Sequence, residues 1–365
     1  MKVAHLDTGR TWRGGQGQVM LLLEGLRQHG VDSLLLAPHG PLLDRARAAG
    51  IETRVWPSHG ELDVAAALAA ARHLRGADVA HAHSAHAHAL GVPAARLARV
   101  PGVVVSRRVD FEVGRGAFSR LKYRMPVDRY FCISRGVLEV MERGGVPRER
   151  LALVPSGVAF LDPPPGAADL RTLIGATPGT DVVGTVAALA PHKNHADLMR
   201  AAAIVVRERP AVRFAWLGEG ECRGALERQR RELGLEHAVH LLGFRSDALA
   251  LMTQFSIFAL ASYLEGLCTS LLDAQRLSVA VVATSAGGIP DVIEDGVSGR
   301  LVPPRDPAAL ARGILEAMDH PDLRTSWVRA ARSSVERFRA ERMVENTLRN
   351  YREVLAAHGV ESEAR

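Results

Sequence analysis

The sequence predicts an α/β protein built from two doubly wound, Rossmann-like parallel sheets. Three observations carry that expectation. The 365 residues exceed what one ordinary core encloses and suit two domains. Short apolar, β-branched runs alternate from the start with longer Ala/Leu/Arg-rich stretches of helical period, the mark of βα units. A triple proline breaks the alternation once, and the alternation then begins afresh.

In chain order, strands are expected at Val3–Leu6, Ser33–Ala37, Thr53–Trp56, Val79–His83, Gly102–Ser106, Arg129–Ile133 and Leu151–Val154. Helical patterns fill most gaps, notably Gln18–His29, Leu62–Leu74 and His86–Arg99. The run Phe160-Leu-Asp-Pro-Pro-Pro-Gly-Ala167 fits neither a helix interior nor a central strand and reads as the linker. A second series follows at Val182–Val186, Arg213–Leu217, Val239–Leu242, Ser256–Leu260, Ala280–Ala283 and Arg300–Val302, and the chain is helical from Pro307 to about Ala357. The expected division is 1–165, 166–345, and a C-terminal helix and tail, 346–365, packing back on the first domain. Such sheets bind ligands beyond the C-terminal ends of their strands, so function is sought in the βα loops, facing a cleft between the domains.

A composition of 47% hydrophobic and 24% charged residues excludes wholesale disorder. Met1-Lys2 leads into no signal-peptide core, and no apolar run reaches the roughly 20 residues of a membrane span. A cytoplasmic protein is expected, peripheral at most on the inner face of the plasma membrane. Cys132, Cys222 and Cys268 are too irregularly spaced for a disulfide framework or zinc knuckle and read as free thiols. The net charge of +6 and pI near 9.7 would admit a nucleic-acid partner. Arginines interleaved with glutamates over Arg223–Glu232 instead mark a solvated helix face, and no nucleic acid is expected. The densest basic stretch holds Arg107, Arg108, Arg115, Arg120, Lys122, Arg124, Arg129 and Arg135, suited to an anionic lipid surface or a charged glycan.

Four loops of the second half carry chemistry. Lys193, at the end of Gly184-Thr-Val-Ala-Ala-Leu-Ala-Pro-His-Lys, precedes a helix and can pair with phosphate. In Trp216-Leu-Gly-Glu-Gly220, small residues let a ligand's base approach the backbone. Glu265 and Asp273 stand eight residues apart in Ser262-Tyr-Leu-Glu-Gly-Leu-Cys-Thr-Ser-Leu-Leu-Asp273. Helical spacing would set them about 12 Å apart along the axis, against separate parts of one long ligand. Gly287 and Gly288 expose backbone amides suited to anions.

These four loops, in this order over about Val182–Pro304, resemble the donor half of family 4 glycosyltransferases, which have the two-domain GT-B fold. The resemblance implies that Lys193 neutralises a donor diphosphate and Glu265 contacts hydroxyls of the donor sugar. Asp273 would hold the ribose hydroxyls, with Glu219 and Gly220 near the nucleobase; Gly266, Leu267 and Thr269 belong to the same donor-binding set. Two positions depart from the pattern: Ala188 stands where an arginine is usual, and Cys268 where a glycine is frequent. Asp273 is one methylene shorter than the usual glutamate.

In the first half, Thr8-Gly-Arg-Thr-Trp-Arg-Gly-Gly-Gln-Gly17 lies between the first strand and a helix expected near Gln18. Gly14, Gly15 and Gly17 resemble the family's glycine loop, and the G-x-G-x-x-G spacing of a dinucleotide fingerprint is absent. His81, His83, His86 and His88 could suggest a metal cluster, but while His81 and His83 would share a strand face, His86 and His88 would sit on different faces of a helix, so convergence on one ion, and with it a metal site, is not expected. His83 resembles a strand-end histidine that lines the cleft. Val105-Ser-Arg-Arg-Val-Asp110 lacks the histidine common in relatives; Arg107 or Arg108 would stand in as the cation, and Asp110 would serve the acceptor side. Ser134 reads as a helix N-cap.

The resemblance implies a retaining, metal-independent hexosyltransferase-like enzyme that requires no cofactor. Its donor would be a UDP-, GDP- or ADP-sugar, and its acceptor a glycan, a lipid-linked saccharide or a small molecule, in cell-envelope polysaccharide or lipopolysaccharide-type synthesis. A nucleotide-sugar epimerase of the same architecture and a degenerate nucleotide-sugar-binding protein are the alternatives.

Overall fold

The computed structural model describes residues 1–109, 111–113, 116–160 and 168–360. These fall into two compact units, one within Met1–Ala159 and Phe338–Arg365, the other within Phe160–Arg337. The first unit runs β1 (Lys2–Leu6), α1 (Gly14–Gln28), β2 (Asp32–Ala37), α2 (Pro41–Ala48), β3 (Glu52–Val55), α3 (Val64–Leu74), β4 (Val79–Ala82), α4 (Ala85–Leu97), β5 (Gly102–Arg107), α5 (Ala117–Arg124), β6 (Arg129–Cys132), α6 (Arg135–Arg143) and β7 (Leu151–Leu153). The second runs α7 (Leu170–Leu173), β8 (Val182–Val186), α8 (His195–Glu208), β9 (Arg213–Leu217), α9 (Arg223–Glu232), β10 (Val239–Gly243), α10 (Ala248–Met252), β11 (Ile257–Leu260), α11 (Thr269–Arg276), β12 (Ala280–Thr284), β13 (Arg300–Val302), α12 (Pro307–Asp319) and α13 (Pro321–Val335). The last helix, α14 (Ala340–Ala357), returns to the first unit.

Both sheets are wholly parallel, in the orders β3-β2-β1-β4-β5-β6-β7 and β10-β9-β8-β11-β12-β13. Helical crossovers cover both faces of such sheets, which is why central strands such as β4 and β12 are buried along their whole length. Several helices begin where the sequence offers a capping oxygen. Asp63, Ser84, Ser134 and Asp306 each accept a hydrogen bond from the amide three residues on.

The thirteen strands among the described residues all fall within a residue or two of their expected places. The main helical correction is α1, which starts at Gly14 rather than near Gln18. Gly14, Gly15 and Gly17 therefore form the first turn of a helix, where early amides lack intrahelical partners and glycine's poor helix propensity costs least.

The chain re-enters the first unit at Phe338, ahead of the expected boundary at 346. The Val158 amide donates to the Phe338 carbonyl (2.8 Å) and the Ala340 amide donates to the Val158 carbonyl (3.0 Å), tying the start of α14 to the end of the first sheet. From there α14 buries Met343, Val344, Leu348, Tyr351, Val354 and Leu355 in the core of the first unit. The contact with α1 is close enough that a Cβ on Gly25 would lie 2.4 Å from Val344 Cγ2. No helix among the described residues is long and apolar enough to cross a membrane.

Candidate functional site

In a doubly wound sheet, two neighbouring strands whose connections leave in opposite directions open a crevice at their C-terminal ends. In the second unit those neighbours are β8 and β11. The chain leaves β8 through a 3₁₀ turn, Pro191–Lys193, and Asn194 enters the left-handed region at φ 53° before α8 begins. It leaves β11 through Ser262–Cys268. This brings the Lys193 ammonium onto the Glu265 carboxylate as an ion pair, with only 14% and 11% of the two side chains exposed. Ser262 Oγ donates to the same carboxylate (3.3 Å), and the Gly288 amide donates to the Glu265 carbonyl (2.9 Å). The loops after β8, β11 and β12 are thus fastened around one glutamate. Most of the water that would screen this charge pair is excluded, so an incoming anion would compete with Glu265 for Lys193 at high electrostatic gain.

The two carboxylates do not share a helix. Glu265 lies ahead of α11, and only Asp273 is on it, so the helical spacing expected for them does not apply. Asp273 Oδ1 accepts from Arg276 Nε (2.9 Å), and burial pushes its carboxyl up against the opposing pull of that guanidinium. Gly266, Leu267 and Cys268 are buried and Thr269 is half-buried. Burial also raises the Cys268 thiol and keeps it protonated. All three cysteines are free, as their spacing indicated.

Beside this pair, Glu219 is exposed and accepts from Arg223 Nη1 (2.5 Å). Gly220 passes so close to the neighbouring loop that a Cβ would meet Leu189 O at 2.5 Å, a steric reason for glycine. The Gly218 amide donates to the Gly243 carbonyl (2.8 Å). The next residue, Phe244, is 75% exposed at the same sheet end. Sequence reasoning missed it; an aromatic directly after a strand-ending glycine is the signal that could have found it.

In the first unit the switch point lies between β1 and β4. Asp7, at the end of β1 and 2% exposed, accepts from the Gly9 amide (2.6 Å) and Gln16 Nε2 (3.1 Å), and so shapes the turn into α1. Burial raises its carboxyl, while those bonds and Arg108 pull the other way. A Cβ on Gly14 would meet nothing within 4 Å, so protein packing does not demand that glycine. Arg108 Cδ stands 4.0 Å from the Cβ position of Gly15.

His81 and His83 share a face, as their alternation on a strand indicated, and His5 joins them. His5 and His81 are register partners on β1 and β4, and His83 lies two residues on, so the three rings gather on one face, His5 stacked on His83 and His81 tilted against both. His86 is exposed, and His88 packs separately on Tyr123 and Tyr130. His83, expected to line an opening, is only 4% exposed. Arg108 Nη2 can only donate, so His83 Nδ1 (3.4 Å) is an acceptor and its Nε2–H donates to His5 Nδ1 (3.0 Å). His5 Nε2 then carries a proton and has no partner among the described residues. Burial lowers His5 to about 3 and holds His81 and His83 well below the usual imidazole range, so all three are neutral. Their ligand atoms lie within 4.8 Å of one another. Yet every ring nitrogen except His5 Nε2 is engaged by a hydrogen bond, and a guanidinium closes one end. The hydrogen bonds form two separate sets, Arg108–His83–His5 and Tyr351–His81–Ser106. Burial lowers Arg108 to about 10, which leaves it cationic at neutral pH.

Asp110 lies outside the described residues. Part of the basic stretch proves structural: Arg107 donates to Tyr123 Oη and the Phe111 carbonyl, Lys122 pairs with Glu61, and Arg129 reaches Asn350 and Glu353. Ser134 caps α6, as its place indicated.

Residues 12–159 match the Glycosyltransferase Family 4 profile, and residues 173–334 match that of the Glycosyl transferases group 1. The chain belongs to the family 4 glycosyltransferases. Among curated members it is 29% identical over 205 residues to a D-inositol 3-phosphate glycosyltransferase of Saccharomonospora viridis, covering 53% of this chain and 48% of that one. It is 24% identical over 257 residues to an Escherichia coli galactosyltransferase named for UDP-Gal and a GlcNAc-diphosphoundecaprenol acceptor, covering 66% of each. The chain thus spans about half the length of the first of these family 4 relatives. In fold it matches HepE from Anabaena, solved in complex with UDP, with a TM-score of 0.86 at 20% identity over 97% of this chain and 100% of that one. The architecture is GT-B.

Proposed function

We propose that this family 4 protein is a retaining glycosyltransferase that moves a sugar from a nucleotide diphosphate donor to a glycan, lipid-linked or small-molecule acceptor of the cell envelope. The observation that carries the reading is the shielded Lys193–Glu265 pair at the β8/β11 switch point. Lys193 meets the diphosphate and Glu265 the sugar hydroxyls. Glu219 and Gly220 flank the base, Gly266, Leu267 and Thr269 line the donor, and Asp273 reaches the ribose once Arg276 yields. Gly14, Gly15 and Gly17 present early amides of α1, with Arg108 and His83 behind them; Asp110 serves the acceptor.

In the transfer, the bond from the anomeric carbon to the diphosphate oxygen breaks while the acceptor oxygen bonds the same face. The acceptor's proton passes to the departing phosphate. Lys193 and the loop amides stabilise that leaving charge without a divalent ion or cofactor. The names of relatives that use lipid-linked diphosphate acceptors support a substrate at a membrane surface. That surface is anionic lipid, met by exposed Leu62, Val64 and Leu121 together with exposed Arg124.

A thermal-shift screen with UDP, GDP and ADP and their sugars identifies the donor, since a ligand bound only by the folded state raises its stability. Nucleoside diphosphate release that depends on acceptor supports transfer. Release without acceptor, or a free altered sugar, indicates an epimerase and overturns the reading; binding without turnover indicates a degenerate member and does the same.

A further inference from the structure

Arg305, in Pro303-Pro304-Arg305-Asp306, stands between β13 and α12 with φ 62°. A non-glycine side chain in the left-handed region is disfavoured. Arg99, Asn194 and Ser278 share it, but Arg99 and Ser278 stand just past the C-caps of α4 and α11, where helices commonly end this way, and asparagine tolerates this region better than other side chains. Arg305 follows a strand, so helix termination does not account for its backbone.

The side chain is exposed, and its guanidinium lies 4.5 Å from the centroid of the Tyr263 ring. Tyr263 belongs to the loop after β11, and its amide donates to the His192 carbonyl (3.0 Å), beside Lys193. Two residues on is Glu265. From the edge strand β13, Arg305 thus leans across two strand spacings, on the order of 10 Å, onto the loop that holds the ion pair. In that pair one positive and one negative charge cancel, whereas a nucleoside diphosphate brings at least two negative charges. Ala188, exposed at the end of the β8 strand, adds no charge.

We propose that Arg305, braced on Tyr263, is a donor-binding residue that contacts the diphosphate of the nucleotide sugar as a second cation beside Lys193. This rests on the donor site proposed above. The strained backbone is then kept for the side chain it presents.

The test uses the full chain and calorimetric titration with the diphosphate that gives the largest thermal shift, together with its monophosphate and nucleoside. Arg305→Gly suits φ 62°, so it is expected to fold with unchanged or raised melting temperature. It should weaken the diphosphate by 10-fold or more and the monophosphate by less, and leave the nucleoside unchanged. Arg305→Lys and Tyr263→Ala should each give an intermediate loss, because one loses the planar fork and the other its platform. A cation–π contact of structural value alone would lower the melting temperature without separating diphosphate from nucleoside, and would overturn the proposal. Diphosphate affinity of Arg305→Gly within twofold of the parent would overturn it too, leaving the donor site intact. If the parent binds none of the three diphosphates, the donor site and this proposal fall together.

Discussion

The phenol of Tyr351, on the last helix, lies 2.5 Å from Nδ1 of His81, on a central strand of the first sheet. Burial holds the phenol well above its ordinary pKa, so it stays protonated and donates. That fixes the tautomer of His81, whose Nε2–H then donates to Ser106 Oγ at 2.8 Å. Tyr351→Phe leaves a buried imidazole nitrogen unsatisfied and should cost about 1–3 kcal/mol in chemical denaturation. A change below a few tenths of a kcal/mol would mean that the contact is energetically silent.

Turnover should depend steeply on the charge pair of the second unit. Lys193→Ala and Glu265→Gln are each expected to lower kcat by about 10²–10³-fold, the usual effect of removing one group that meets developing charge. Circular dichroism should show the fold retained. Near-parent rates in both variants would sink the assignment of this site.

Stability should fall on acidification below pH 6.5. His5 and His88 are lowered to about 3 and His195 to about 4, each chiefly by burial. The unfolded chain therefore binds their protons near pH 6.5 while the folded chain does not. Their contribution is complete above that pH and is lost toward pH 4, at about 1.4 kcal/mol per pH unit for each histidine. Burial raises Asp7 and Asp273, which take up protons in the folded state at the acidic end and return part of the loss. Urea midpoints at pH 7.5, 6.5 and 5.5 measure the slope; flat midpoints would refute neutral buried imidazoles.

Flotation with liposomes tests the proposed membrane contact. The parent should float with vesicles containing acidic lipid and much less with neutral ones, and the double change Leu62→Glu with Leu121→Glu should abolish it. Equal and negligible flotation with both vesicle types would reject an anionic surface as partner.

Much of the fold was legible because parallel strands buried on both faces are short apolar runs that no loop imitates. The start of α1 was not, since three glycines in four positions read as a loop, and only tertiary context makes them helical. Lys193 and Glu265 were legible as candidates from their places in βα loops. Their pairing was not, because the order of β8 and β11 in the sheet leaves no mark on local sequence. His5 escaped notice for the same reason: its partners stand 76 and 78 positions away, on a strand that becomes its neighbour only in the folded sheet. Arg305 carries no periodic or spacing signal, and its exposure and its contact with Tyr263 are tertiary facts.

The return of α14 sets an order of events during synthesis. The seven strands of the first sheet leave the ribosome early, but the helix that covers α1 and completes their core follows only after residues 160–337 have been made. At about 5–20 residues per second that interval is on the order of 10–40 s. Throughout it, Leu22 and Leu26 of the first core lack the apolar cover that Val344 and its neighbours later supply. The earliest-made half of the chain is therefore the last to be finished. Chaperones should meet it as a nascent chain with one open flank.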